Sequence, residues 1–285
     1  MHTMTLLDPV RHVPAVRLAE RDAALAALGH GLDEARSGRG RLVLVRGETG
    51  IGKSALVSEF LVGAERLGFR AASGWCDGFA TPRPFAPLHD LVPALGTELE
   101  ALLDAGAAHG AISRWVRARL AGSGPWVVVI EDIQWADEAT LELLLFLARR
   151  LEGMTTVIVA TWRDDEALSP AAERTTGRLA ALPRVHQLPL TRLSRQGIAE
   201  LAAGSRFDVD ELARLTAGNP LYVHEVLAST GGDIPISIRD AIRARAGSLD
   251  RRARRALEAA AIAGPRAEPW LVAAIAGEDV LGLDA

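Results

Sequence analysis

Residues 41–60, RLVLVRGETGIGKSALVSEF, constrain this chain more than any other stretch. The apolar run Leu42–Val45 leads to Gly47, and GETGIGKS then fits the pattern G-x-x-x-x-G-K-S/T. A helical pattern opens directly behind it at Ser54, Ala55, Leu56, Val57 and Phe60. Strand, glycine-rich loop and helix in that order are the context in which this pattern has a mechanism. Gly47, Gly50 and Gly52 let the backbone take positive φ and approach an anion closely. The backbone amides along the loop and the helix start, through Glu48, Thr49, Ile51 and Ala55, then form a nest at the positive end of the helix dipole. Lys53 is placed to reach β- and γ-phosphates, and the Ser54 hydroxyl to ligate Mg²⁺. The side chains of Glu48 and Thr49 fill variable positions, and the pattern assigns them no chemistry. The expectation is a nucleoside triphosphate site.

Composition sharpens that expectation. Of the 32 Lys plus Arg residues, 31 are arginine, and the single lysine is Lys53. A planar guanidinium fork and a compact ammonium are not interchangeable inside a tight phosphate loop. A chance glycine-rich turn explains neither the placement between strand and helix nor the lone lysine.

The remaining bulk properties exclude more than they assign. A chain of 285 residues holds one large domain or two small ones, and 49% hydrophobic with 24% charged residues is ordinary globular composition. A net charge of −4 gives no general attraction to nucleic acid or anionic membrane. The single cysteine, Cys76, excludes an internal disulfide framework and suits a reducing cytosol. No apolar run approaches the roughly 18 residues of a membrane span, and the N-terminus lacks the basic start and apolar stretch of a secretory signal. A cytoplasmic protein is expected.

Along the chain, residues 1–15 read as a loose leader. A helix follows from Arg17, with Leu18, Leu25 and Leu28 at helical spacing, and ends at Ser37-Gly38-Arg39-Gly40. After the loop and its helix, Phe69–Trp75 alternates as a strand, and 76–87 is a Gly/Pro-rich loop. Helices are expected at 88–95, 98–103 and 109–120. Trp126–Ile130 and Thr155–Thr161 are continuous apolar, β-branched runs, as expected of strands covered on both faces of a parallel sheet. Ala139–Leu151 reads as a helix capped by Asp137, 168–182 as another, and Val185–Leu190 as a short extended segment. Strands alternating with helices predict an α/β fold, a parallel sheet in three layers spanning 16–190. Beyond Pro189 the pattern turns helical. Helices at 194–203, 209–217 and 221–229 form a small helical unit over 191–232, and a linker follows at 230–233. Helices at 236–246, 250–263 and 269–276 begin a further unit over 233–285.

A phosphate loop needs a carboxylate at the end of a neighbouring strand. WVVVIEDIQWAD supplies Glu131 and Asp132 at the C-terminal edge, where ligands of open α/β sheets bind. Glu131 is expected nearest Mg²⁺, and Asp132 in the metal–water network or orienting an attacking water. The plainer alternative is that both only solvate a strand-to-helix turn. Arg163, just past the strand at 155–161, either reaches a γ-phosphate or is a surface arginine paired with Asp164 or Asp165. Gly218-Asn219-Pro220 reads by itself as a helix break. Asp250–Arg255 reads as a solvated helix face, Cys76 as a plain structural thiol, and the tryptophans at strand ends as walls or core.

Taken together, LAERDAALAAL, GETGIGKS, FAPLHDL, VVVIEDIQWADEATLELL, VATWRDDE, LPLTRLS, AGNPLYVHEVL and IPISIRDAIRARAGSL carry a resemblance. The chain resembles the AAA+-like ATPase domain of the signal-transducing STAND class, and more narrowly that of large ATP-binding LuxR-family (MalT-like) bacterial transcriptional regulators. The match runs over about residues 16–265. IQWAD, TWR and GNPLYVHEV are its more specific parts, since GETGIGKS is shared by many P-loop proteins. The resemblance implies that Arg163 is the sensor arginine and Pro220 the lid proline near adenine. It implies that the segment Ala19–Arg21, Arg21 included, approaches the base, and that a winged-helix unit begins near Ile236. Two positions depart from the family pattern: Glu20 stands where the opening motif has glycine, and Glu131 where the first acidic residue is more often Asp.

The function expected on this basis is an ATP-binding, slowly hydrolysing switch. ATP and ADP with Mg²⁺ would sit between the P-loop core and a helical lid. A nucleotide-binding interaction module without hydrolysis, and a P-loop phosphotransferase, are the alternatives. Full-length relatives carry a C-terminal sensor and a helix-turn-helix, which this chain is too short to include. Self-association or downstream regulatory domains are therefore the partners to expect, with no specific DNA binding by this chain and no membrane.

Overall fold

A computed structural model describes residues 18–78, 83–166, 168–229, 251–264 and 268–277. The leader 1–15, the linker 230–233 and the helix expected at 236–246 lie outside the described residues.

Five strands form one parallel sheet: β1 (Arg41–Arg46), β2 (Arg70–Trp75), β3 (Trp126–Glu131), β4 (Thr156–Trp162) and β5 (Val185–Pro189), in the order β2-β3-β4-β1-β5. The apolar runs reflect burial on both faces. Every residue of β3 and β4 is buried, and their side chains divide by the strand period of two. Val43, Val45, Val127, Val129, Val157 and Val159 face α1 (Asp22–Arg36) and α2 (Lys53–Arg66), meeting Leu28, Leu32, Leu56 and Phe60. Leu42, Leu44, Val128, Ile130, Ile158 and Ala160 face the opposite layer. That layer is built by α3 (Ala86–Leu95), α4 (Thr97–Asp104), α5 (His109–Gly122), α6 (Glu138–Ala148) and α7 (Pro170–Ala180). The three-layer α/β P-loop fold is as expected.

Local chemistry sets the helix ends. The Asp137 carboxylate accepts from Thr140 N at 2.9 Å, capping α6 as expected, and also from the amides of Phe85 and Ala86, so one side chain ties the starts of α6 and α3. α6 stops at Ala148, three residues short of the expected end, because Leu151 leaves the helix and gives its carbonyl to Gly40 and Met154. α7 starts at Pro170 behind a Ser169 cap. β2 is buried through Ala72–Gly74 without alternating, since it too is covered on both faces. Cys76 is buried in the core, and burial pushes its thiol well above the ordinary value, which keeps it protonated and unreactive.

The chain divides into two compact units, Met1–Leu221 and Tyr222–Ala285. The first therefore continues past residue 190 through α8 (Arg195–Leu201) and α9 (Val209–Thr216) to the start of α10 (Pro220–Ala228). In the second, α11 (Arg251–Ala263) and α12 (Pro269–Ala276) pack on each other, burying Ala259 and Ala273. Arg251, Arg252, Arg254 and Arg255 are exposed on α11, a solvated face as the spacing implies.

Candidate functional site

The loop between β1 and α2 turns through Gly50 (φ 79°) and Gly52 (φ 95°), both in the region glycine adopts freely. A Cβ at Gly50 would also lie 2.9 Å from both Asn219 Oδ1 and Leu221 Cβ, so close packing demands glycine a second time. Lys53 is only 7% exposed. Its ammonium curls back inside the loop, donating to Gly47 O at 2.7 Å and Glu48 O at 3.0 Å. Burial pushes the ammonium pKa down, and the nearby Asp132 carboxylate acts against that. The first bond of α2 runs from Leu56 N to Gly52 O, so the amides of Lys53, Ser54 and Ala55 precede the helical ladder and remain available to an anion. One loop amide already holds a carboxylate: Thr49 N donates to Asp165 Oδ1 at 3.1 Å and Oδ2 at 3.2 Å.

The acidic pair meets the loop across the sheet edge. Ser54 Oγ donates to Glu131 Oε2 at 2.6 Å. Glu131 is buried, which raises its pKa, and the Ser54 bond partly reverses the shift. Asp132 sits at φ 57°, ψ 48° and donates its amide to Thr161 Oγ1 at 3.0 Å. Aspartate is among the few residues that tolerate the left-handed region. A neutral side chain joins this group: buried Gln134 donates to Asp132 Oδ1 at 3.0 Å and accepts from Arg163 N at 3.2 Å.

Arg163 is paired, but with neither Asp164 nor Asp165. Its guanidinium approaches Asp132 Oδ1 at 3.4 Å, donates to Glu166 Oε1 at 2.9 Å and lies 4.6 Å from the centre of the Trp135 ring. Strand order explains this: β4 lies between β1 and β3, so its C-terminal end delivers Arg163 between the phosphate loop and Asp132.

The Ser54 hydroxyl and Glu131 carboxylate are hard oxygen donors. Among the described residues no group of three or more His, Cys, Asp or Glu side chains is placed to hold a metal ion. That donor set suits Mg²⁺, which takes one or two carboxylates and completes its shell with phosphate oxygens and water.

Arg21 is 5% exposed, and its guanidinium donates to the carbonyls of Ile51 (3.1 Å), Thr191 (2.9 Å) and Glu20 (3.1 Å). It therefore braces the loop two residues before Lys53. Glu20, with φ 56°, accepts from Ser194 N at 2.8 Å and from the Ser194 hydroxyl at the start of α8. Pro220 opens α10 beside Leu221, whose amide donates to Gly50 O at 3.1 Å. Gln134, Arg192 and Asn219 fall within IQWAD, LPLTRLS and GNPLYVHEV, stretches that carry the resemblance, and Glu48 falls within GETGIGKS. Neither pattern nor resemblance assigned their side chains a role at the site.

Residues 17–160, slightly more than half of the chain, match the AAA ATPase domain family. The chain belongs to that family. The matched part of this AAA ATPase domain contains the phosphate loop and the Glu131–Asp132 pair and ends just before Arg163. The domain is also 26% identical to an uncharacterized protein of Rhizobium meliloti, over 73% of this chain and 24% of that protein. It thus spans about a quarter of that relative's length. Among solved structures it is similar to the Aeropyrum pernix ORC2 protein, determined with ADPNP and ADP (15% identity, TM-score 0.54, 82% of this chain and 66% of that one). It is similar also to Aeropyrum pernix ORC1 in complex with DNA (17% identity, TM-score 0.53, 94% and 78%). At these identities the likeness is one of fold. No described helix of the AAA ATPase domain is long and apolar enough to cross a membrane.

Proposed function

We propose that this AAA ATPase domain binds ATP with Mg²⁺ and hydrolyses it slowly, as a switch that couples nucleotide state to the helices after residue 190. The observation that carries the reading is the buried Lys53 ammonium, held at 2.7 and 3.0 Å inside a loop of positive-φ glycines. An ammonium there, together with the amides at the start of α2, binds and orients a polyphosphate tail. Asp132, fixed by Gln134 and Thr161, is the acceptor that orients an attacking water. Arg163, between Asp132 and the loop, supplies the cation that distinguishes triphosphate from diphosphate. Ser54 and Glu131 would hold Mg²⁺, which when bound neutralises charge on the phosphate oxygens. Arg21 acts on the nucleotide through Ile51, and Pro220 lies on the adenine side.

We read the domain further as the ATPase part of a STAND-type, LuxR-family signal-transduction regulator in the cytoplasm. IQWAD, TWR and GNPLYVHEV support that reading, as does a relative some four times the length of the aligned part. Single-turnover assays with radiolabelled ATP test the reaction. Phosphate release that depends on Asp132 supports the switch. Bound ATP that stays intact would make this a nucleotide-held interaction module, and label on a small molecule would make it a phosphotransferase.

A further inference from the structure

We propose that Asn219 is a positioning residue that makes the phosphate loop and the Gly218–Leu221 turn one mechanical unit. Asn219 is 3% exposed. Its Nδ2 donates to Glu48 Oε1 at 2.9 Å and to Thr49 O at 2.9 Å, and its Oδ1 accepts from Leu221 N at 3.1 Å. The same Leu221 amide donates to Gly50 O at 3.1 Å. Arg192 also grips Glu48, Nε to Oε1 at 2.9 Å, the oxygen that Asn219 reaches, and Nη2 to Oε2 at 2.6 Å. Leu193 N donates to Gly218 O at 2.8 Å. Three segments far apart in sequence, 48–50, 192–193 and 218–221, therefore share one hydrogen-bonded network, with Asn219 at its buried centre.

The network bears on function through the rigidity of the peptide group. The Thr49 carbonyl that Asn219 holds lies in one plane with the Gly50 amide, and the Gly50 carbonyl that Leu221 holds lies in one plane with the Ile51 amide. A phosphate that draws those amides toward itself must rotate the carbonyls, and the carbonyls are fixed to the turn. Packing leaves no slack. Gly50 lies against Asn219 and Leu221, and a Cβ at Gly218 would sit 2.5 Å from Leu193 O. Hydrogen bonds that meet at a buried side chain such as Asn219 stiffen the segments they join. The turn thus senses loop geometry through Asn219, and Glu48 is the loop side chain that completes the link.

Hydrogen–deuterium exchange on the whole chain tests this, first without nucleotide. Asn219→Asp keeps the shape, removes both donors and sets a carboxylate against Glu48. It should speed exchange of loop residues 47–56 roughly tenfold, the equivalent of one to two lost hydrogen bonds. Glu48→Ala approaches the link from the loop and should speed exchange of residues 209–221. In both variants β3 should exchange as in the wild type, which separates uncoupling from unfolding. If each substitution affects only the segment that carries it, the link does not exist. The second arm rests on the proposed nucleotide site. ATP should slow exchange in both segments of the wild type but only in the loop of Asn219→Asp. Slowing of both segments in the variant would overturn the inference. ATP without effect on the wild type would overturn the nucleotide reading, while the first arm still decides the link.

Discussion

The Ser54 hydroxyl donates to the Glu131 carboxylate at 2.6 Å, joining the first turn of α2 to the last residue of β3. As a metal ligand the same hydroxyl oxygen would turn its lone pair to the cation, with Glu131 beside it. Chelating divalent ions should therefore weaken ATP binding to the wild type by roughly tenfold or more, because the ion's neutralisation of charge on the phosphate oxygens is lost. Ser54→Ala should bind weakly from the outset and lose little more on chelation. Calorimetric titrations with and without EDTA check this. An affinity indifferent to EDTA in the wild type would leave the Ser54–Glu131 contact a purely structural tie.

Lys53→Ala removes the ammonium and frees the two loop carbonyls it holds. ATP affinity should fall by ~2–5 kcal/mol, the cost of removing one partner of a buried charge pair. The domain should stay folded, because Lys53 belongs to neither of the hydrophobic layers on the two sheet faces. Wild-type ATP affinity retained by a variant with a wild-type circular dichroism spectrum would contradict the proposed site.

Asp132 allows chemistry and backbone to be separated. Asparagine also accepts the left-handed region, so Asp132→Asn should fold as the wild type does, bind ATP, and release phosphate slower by ~10²-fold or more. Asp132→Ala should add a strain cost of about 1–2 kcal/mol at φ 57°. Thermal melts and single-turnover rates on the two variants distinguish the effects. Equal phosphate release by Asp132→Asn and wild type would remove Asp132 from the chemistry.

What the sequence made legible follows from where each signal is stored. β1, β3 and β4 are readable because burial on both faces makes them uninterrupted apolar runs, and the phosphate loop because its glycines and lysine are local. Arg163 is correctly placed at the end of β4, yet its partners are Asp132 and Glu166. Choosing Asp132 requires knowing that β4 lies beside β3, and no spacing along the chain encodes that. Glu48 is harder still, since its partners Arg192 and Asn219 lie 144 and 171 residues away. Arg21 carried a signal as part of a motif, but the motif does not reveal that its guanidinium is spent on backbone carbonyls.

Gly50→Ala should damage both the loop and the turn that packs on it. The new methyl meets Asn219 and Leu221 at 2.9 Å, and φ 79° is strained for alanine. A destabilisation of roughly 1–3 kcal/mol is expected, with ATP binding lost in parallel. Gly52→Ala, where a Cβ meets nothing within 4 Å, should cost only the conformational part despite its φ of 95°. Denaturant titrations that rank the two variants in the opposite order would show that the contact to the turn is unimportant.

Glu20 makes a prediction with a defined pH dependence. The position has φ 56°, which glycine adopts freely and glutamate only at a cost of about 1 kcal/mol. What offsets the strain is the carboxylate's reach to α8, where it accepts from the Ser194 hydroxyl and amide and lies against Gly197. Those bonds, the hydroxyl's first, hold its pKa below the ordinary 4.5. A lowered folded-state pKa means stability present in full above 4.5 and lost as pH falls from there through the folded value. Glu20→Gln keeps the shape and removes the charge, so it should melt below the wild type at neutral pH, with a gap worth less than about 1 kcal/mol because the group is largely exposed. The gap should close as the medium is acidified. Glu20→Gly exchanges the bonds for relief of strain and should come out near the wild type, whereas Glu20→Ala loses the bonds, keeps the strain and should be the least stable of the three. A gap between wild type and Glu20→Gln that widens in acid would mean the carboxylate is strained against its neighbours and does not anchor α8.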